Sequence, residues 1–296
     1  MKSFGTVSCQ ARTRILLLVS LAVGCGSIGR MIDAEEPIRV MSFNIRYGTA
    51  NDGDNHWNKR HPLVLKTIQE FRPDLLGTQE VMDFQAEYLR KHLEGYLSVG
   101  RSREKDPNRG EQCTIFYDQN RFAKLEWGQF WLSKTPDEIA SKSWDSSLPR
   151  IATWIRLRDR KSEREFVFLN THFDHRGKLA RLESARLIAK QVPTFSLPVI
   201  ISGDFNCPEG SPPYNVLTKT APVKIVDSYR QVWPNKSSRE GTFNGFRGID
   251  NGARIDWILF TAPFHCESAS IIRFQENNRY PSDHFPVTAI LQFSGP

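Results

Sequence analysis

Long apolar runs are scarce in this 296-residue chain: only residues 15–24 approach the length of a membrane helix, and that run stops at about ten. A bilayer core about 30 Å thick needs roughly twice as many, which excludes a multi-span membrane protein. Cysteine is sparse too, with five in all, no Cys-x-x-Cys and no Cys/His zinc spacing. That excludes a disulfide-dense miniprotein and a structural zinc module. From Ile38 to Phe293 there is no internal repeat, low-complexity tract or Pro/Ser-rich linker, so a single domain is expected. Neither Gly-x-Ser-x-Gly nor His-Glu-x-x-His occurs, which leaves serine and zinc hydrolase chemistry without their signatures. The composition itself, 39% hydrophobic and 25% charged, is that of a folded soluble protein and excludes disorder.

Excess charge of one sign is also mostly absent. The formal net charge is +7, but residues 1–30 carry Lys2, Arg12, Arg14 and Arg30 and no acid, and without them it falls to +3. A balance that small does not argue for a polyanion partner, and no basic arm interleaved with aromatics appears. The basic flank, the short apolar run and the small residues Gly24 to Ser27 read together as an export signal over residues 1–34. Leu21 to Cys25 is similar to a bacterial lipobox, with Ala22 where leucine is usual. Lipid anchoring through Cys25 and plain export, periplasmic or extracellular, both stay open. The mature domain is then 35–296, expected as a monomer without a membrane span. It keeps Cys113, Cys207 and Cys266, expected as buried thiols.

The periodicity predicts strands at 38–43, 113–117, 151–157, 166–169, 199–202, 255–260 and 285–291. It predicts helices at 63–71, 84–93 and 179–192. Strands outnumber helices and several follow one another directly. That favours two mainly antiparallel sheets with helices outside over a doubly wound sheet.

Polar residues sit where the apolar runs end. Asn44 follows the first strand, Glu80 the run 74–79, His172 the run 166–171, and Asp204 and Asn206 the run 199–203. Asp283 and His284 precede the last strand, and Asp256 lies between Ile255 and Trp257. A lone polar strand end is usually a turn former. A carboxylate inside an apolar run needs a partner, and His284 is the plausible one for Asp256.

The motifs Ser42-Phe-Asn-Ile45, Thr78-Gln-Glu-Val81, Asn170-Thr-His-Phe173, Gly203-Asp-Phe-Asn206, Arg254-Ile-Asp-Trp257 and Ser282-Asp-His284 occur in this order. Together they resemble the endonuclease/exonuclease/phosphatase, or DNase I-like, superfamily over residues 37–293, and within it a subset of secreted bacterial members. The resemblance implies an α+β fold, a four-layer αββα sandwich with the active site on one edge of the paired sheets. It implies a divalent-metal-dependent phosphoesterase using one or two Mg²⁺ or Mn²⁺ ions, whose preference for hard oxygen suits carboxylates. In that reading Glu80, Asn44 and Asp283 hold metal, and Asp204 activates the attacking water. Asn206 and His284 contact the phosphate, and Asp256 orients His284. By likeness to DNase I, His172 takes its own carboxylate, expected to be Glu111.

Arg46, Tyr47 and Trp57, in a Gly/Asn/Asp-rich segment after Asn44, together with Asp174 and His175, are candidate substrate contacts. For Trp57, packing against the following helix is the competing expectation, and for Asp174 and His175 it is capping of the helix that begins near Lys178. Arg150 could reach a phosphate, with a solvated arginine the leading expectation, and residues 241–246 form a rim loop. The substrate expected is a phosphodiester of nucleic acid or a phospholipid head group. The alternatives are a phosphomonoester of a small metabolite or sugar, and a non-catalytic binding protein on the same scaffold.

Overall fold

The computed structural model describes residues 1–5, 36–107 and 109–294, and the fold lies in the unit Glu35–Pro296. Apart from its first five residues, the expected export signal, with Cys25, falls outside the described residues. The elements run β1 (Ile38–Asn44), α1 (Trp57–Phe71), β2 (Leu75–Gln79), α2 (Asp83–His92), β3 (Tyr96–Val99), β4 (Ile115–Asp118), β5 (Phe122–Trp131) and β6 (Ile151–Asp159). Then come β7 (Glu165–His172), α3 (Lys178–Gln191), β8 (Val199–Asp204), α4 (Pro212–Lys219), β9 (Ile225–Asp227), α5 (Ser228–Val232), β10 (Asp256–Thr261), β11 (Phe264–Ile271) and β12 (Val287–Phe293).

Two six-stranded sheets form, ordered β11-β12-β1-β2-β4-β3 and β5-β6-β7-β8-β10-β9. The pairs β1–β2 and β7–β8 are parallel, and the other pairs of neighbouring strands among the described residues are antiparallel. The two-residue side-chain period divides each central strand between two cores. In β7, Phe166 and Phe168 enter the cluster between the sheets, while Val167 and Leu169 face α3 and α4. In β1, Ile38 and Val40 face the other sheet, while Met41 and Phe43 pack with Trp57, Val64 and Leu89 of α1 and α2. Helix, sheet, sheet, helix is therefore the layer order, as the motif resemblance implied. All three cysteines of this unit are free and buried.

The same period turns polar toward one rim. Asn44 continues the inward face of Val40, Gln79 that of Leu75, His172 that of Phe168, Asp204 that of Ile200 and Asp256 that of Ile258. Register aligns them: Asn44 pairs with Gln79, His172 with Asp204, and Asp204 with Asp256. Beneath them lies a buried polar layer. Gln79 Nε2 donates to Asn170 Oδ1 at 2.6 Å and to Ser42 Oγ at 3.1 Å, and Ser202 Oγ donates to Asn170 Oδ1 at 3.1 Å. The sheets approach so closely here that a Cβ on Gly77 would overlap Ser202 Oγ and stand 2.7 Å from Asn170 Oδ1. Gly77→Ala is therefore expected to cost about 1–3 kcal/mol, as overpacked core sites do. The denaturant midpoint checks it.

Candidate active site

Each parallel strand pair delivers its two C-terminal ends to this rim, and the starts of β10 and β12 arrive there in the opposite direction. The chain must turn sharply as it leaves these ends. Arg46, Glu80 and Asn206 adopt left-handed backbone, φ 57°, 59° and 49°, just past β1, β2 and β8. The result is a cleft of about 650 Å³ lined by Arg46, Tyr47, Glu80, Glu111, Arg150, His172, His175, Asp204, Asn206, Phe243, Asp283 and His284, among others.

Asp204 sits at the centre, 1% exposed. Its Oδ2 accepts Asn44 Nδ2 at 3.0 Å and lies 3.4 Å from His172 Nε2 and 3.7 Å from His284 Nε2, while its Oδ1 accepts the Asn206 N–H at 2.9 Å. Burial, reinforced by the charge of Asp256, pushes Asp204 up to about 7. His284 Nδ1 stands 3.0 Å from Asp256 Oδ2. Burial works against the imidazolium, but Asp256 and Asp204 overcome it and hold His284 well above its usual range. His172 goes the other way: burial and the charges of Arg150 and Arg103 hold it well below. The two imidazoles that flank Asp204 are thus shifted in opposite directions, His284 toward the cation and His172 toward the neutral ring.

Glu80 lies where a hard cation would be held. Its Oε1 accepts Asn44 Nδ2 at 3.1 Å and its Oε2 accepts the Tyr47 N–H at 3.0 Å. Asn44 Oδ1 is taken by the Arg46 N–H at 2.9 Å, so Asn44 presents its amide N–H groups to the carboxylates and orients Glu80. Asp283 lines the same cleft, and burial and the charge of Glu80 raise it. Two carboxylates that repel across a cleft suit an oxygen-preferring divalent ion. Asp204, Asp256 and His284 also bring ligand-type atoms within 4.8 Å of one another, but there His284 Nδ1 is already committed to Asp256.

Several expectations change. Glu111 does stand beside His172, but its Oε2 is 4.0 Å from Nδ1, outside hydrogen-bond reach. Both its oxygens are held by Arg103, at 2.8 and 2.9 Å. The group against His172 Nδ1 is Arg150 Nη1 at 3.2 Å, and Arg150 Nη2 lies 2.8 Å from His175 Nδ1. Arg150 is therefore no solvated arginine but 4% exposed, and it sorts the ring nitrogens of two cleft histidines. Trp57 is 3% exposed, packed edge-on to Tyr88 and beside His61 at the start of α1, so it is a core residue and not a substrate contact. Asp174 is buried and structural: Gly177, Arg176 and Ser147 N–H groups and the Ser147 hydroxyl converge on it, tying the turn before α3 to residues 146–148. Burial opposes its charge, but those donors and Arg150 hold it far below the carboxylate range. His175 and Arg46 line the cleft.

The expected rim loop 241–246 does border the cleft, and it brings a residue not singled out from the sequence, Phe243, half-exposed and edge-on to the His284 ring at 5.2 Å between centroids. The loop is pinned beside Asp283 and Asp256. Asn244 and Gly245 N–H groups donate to Asp283 O, and Thr242 Oγ1 receives the Asp256 N–H. The motif Gly241-Thr-Phe was the available signal.

Residues 41–284 match the model of the endonuclease/exonuclease/phosphatase family. A solved mannosyl-6-phosphatase from Bacteroides thetaiotaomicron is 33% identical, with a TM-score of 0.79 over 86% of this chain and all of that one. The solved catalytic domain of human nocturnin shares the fold at 22% identity, with a TM-score of 0.70 over 89% of this chain and 97% of that one. Mouse nocturnin is 23% identical over 93% of this chain and 68% of its own length. The chain belongs to the endonuclease/exonuclease/phosphatase family and is a phosphoric ester hydrolase.

Proposed function

We propose that the chain is an exported, divalent-metal-dependent phosphomonoesterase acting on a small phosphorylated sugar or metabolite. The cleft carries this reading: about 650 Å³, suited to a single small ligand, with its reacting groups clustered on the floor. The 33% identity to a mannosyl-6-phosphatase supports it. These two observations move the balance from the diester, which the sequence alone favoured, to the monoester. Among the described residues no helix is long and apolar enough to cross a membrane. Export rests on the signal-like composition of residues 1–34.

Glu80 and Asp283 would hold the ion, with Asn44 orienting Glu80. Bound there, Mg²⁺ or Mn²⁺ would supply charge stabilisation for the phosphoryl oxygens. The chain does the rest. Asp204 takes the proton of the attacking water, which a carboxylate pushed up to about 7 is suited to do near neutral pH. His284, cationic and oriented by Asp256, donates to a phosphoryl oxygen from Nε2. Asn206 and His172 complete the polar floor.

The test is hydrolysis by the purified chain with Mg²⁺, Mn²⁺ or EDTA. The substrates are hexose 6-phosphates, glycerol phosphate, a bis-aryl phosphodiester, plasmid DNA, RNA and sphingomyelin. EDTA-sensitive release of phosphate from the sugar monoesters, exceeding turnover of every diester, is expected. Preference for a diester would overturn the monoester reading, and full activity in EDTA would overturn the metal.

A further inference from the structure

Arg46 is constrained on every side. Its backbone is left-handed, φ 57°, a conformation that costs a non-glycine residue about 1–3 kcal/mol and persists only where the surroundings over-determine it. Its N–H donates to Asn44 Oδ1 at 2.9 Å, and its carbonyl accepts Arg60 Nη2 at 2.9 Å and Gln85 Nε2 at 3.0 Å. Arg60 is itself 1% exposed, and its donors all go to backbone carbonyls, including those of Ile45 and Pro281. The side chain is fixed as firmly. Asp52 grips Nε and Nη2 with both oxygens at 3.0 Å, and the guanidinium lies over the Tyr47 ring, 4.6 Å from its centroid.

All this holds a permanent cation against the two proposed metal ligands. Nη1 is 4.0 Å from Glu80 Oε2 and Nε is 3.7 Å from Asp283 Oδ2. In two-metal phosphoesterases the ions stand about 3.5–4 Å apart and share carboxylates. A guanidinium in contact with both Glu80 and Asp283 fills the second of those places. An additional divalent ion there would meet its charge at a distance where even one pair of unit charges repels by about 4 kcal/mol.

We propose that Arg46 is a fixed organic cation standing in place of a second metal ion, so that the cleft binds one divalent ion per chain. It shares Glu80 and Asp283 with that ion, weakening ion binding while keeping a positive charge facing the phosphate. This rests on the proposed reading of Glu80 and Asp283 as ion ligands.

The experiment is calorimetric titration of the substrate-free chain with Mn²⁺. Wild type should bind one ion. Arg46→Gln, relieved of the competing charge, should bind Mn²⁺ at least about tenfold more tightly. Asp52→Asn should move the opposite way, because it removes the negative charge that partly offsets the guanidinium and leaves its repulsion of the ion uncompensated. That second variant carries the test if Arg46→Gln does not fold. Two ions on wild type, or affinities unchanged in the variants, would overturn the proposal. Glu80→Gln separates the two readings: if it leaves Mn²⁺ binding untouched, the ligand assignment fails and the role of Arg46 falls with it, whereas weakened binding in Glu80→Gln with none of the expected change in Arg46→Gln overturns the role of Arg46 alone.

Discussion

Asp204→Asn is expected to lower kcat by about 10³-fold while leaving the fold intact. The amide is isosteric, but Asn44 Nδ2 donates to Oδ2 at 3.0 Å and the Asn206 N–H to Oδ1 at 2.9 Å, so its single oxygen keeps one of these donors and its NH2 faces the other. What it loses is the negative charge that accepts the water's proton, and positioned general bases contribute roughly 10²–10⁴. The donor left unpaired costs stability, and a second effect offsets it. Burial and the Asp256 carboxylate already disfavour the charged form of Asp204, and replacing it with a neutral group removes that repulsion. Thermal melting and steady-state kinetics on one preparation check both halves, and loss of activity together with loss of folding would leave the base unassigned. The pH profile adds a sign. If Asp204 is the base it must act as the carboxylate, and since burial pushes it up to about 7, kcat of the wild type should fall as pH drops below about 7. The residual activity of the Asn variant should lack that limb.

His284→Ala should be nearly as damaging, about 10²–10⁴-fold, since it removes the cationic donor from the floor of the cleft. Asp256→Asn is the sharper experiment. The charges of Asp256 and Asp204 keep His284 protonated against burial. A group raised in this way is fully cationic at low pH and loses its contribution as pH rises through its folded value. With Asp256 neutralised, that loss comes earlier, so the alkaline limb of kcat/KM should move to lower pH. An alkaline limb that stayed in place would show that the 3.0 Å contact does not govern the charge of His284. Asp256 Oδ1 is buried without a hydrogen-bond partner while Oδ2 is paired with His284, so the neutral variant weakens a buried ion pair, and a melting curve belongs beside its pH profile.

The polar rim was legible because its residues interrupt strong periodic signals: Asn44, His172 and Asp204 each end a buried strand and share its inward face. The edge strands were not. β5 carries Lys124, Glu126 and Gly128 among its apolar positions and leans on β6 along only one side, and β11, with Glu267, Ser268 and Ser270, reads as loop. The short helices α4 and α5 begin at proline or at an Asp227 cap and are too brief to show a period. The misjudged site residues share one cause, that local sequence does not reveal long-range partners. Arg150 looks like a strand-edge cation until His172 and His175, over twenty residues on, close over it. Glu111 is claimed by Arg103 and not by His172. Gln79, Asn170 and Ser202, the polar layer beneath the site, come from three strands and two sheets, and only the folded register brings them together.

The strand order has a temporal consequence. All six strands of the second sheet, β5 to β10, are inserted in the chain between β4 and β11 of the first. β12, last in the chain, lies inside its sheet, with Ile38 of β1 opposite its Leu291. As the chain emerges from the ribosome N-terminus first, β1 must wait, with one edge unsatisfied, for a partner about 250 residues later. The cleft waits for the same event, because Asp283 and His284 arrive just ahead of β12. A nascent chain should thus be catalytically silent until residues 283–293 have emerged and docked, and a fragment ending before residue 283 should be inert however much of the second sheet it has built.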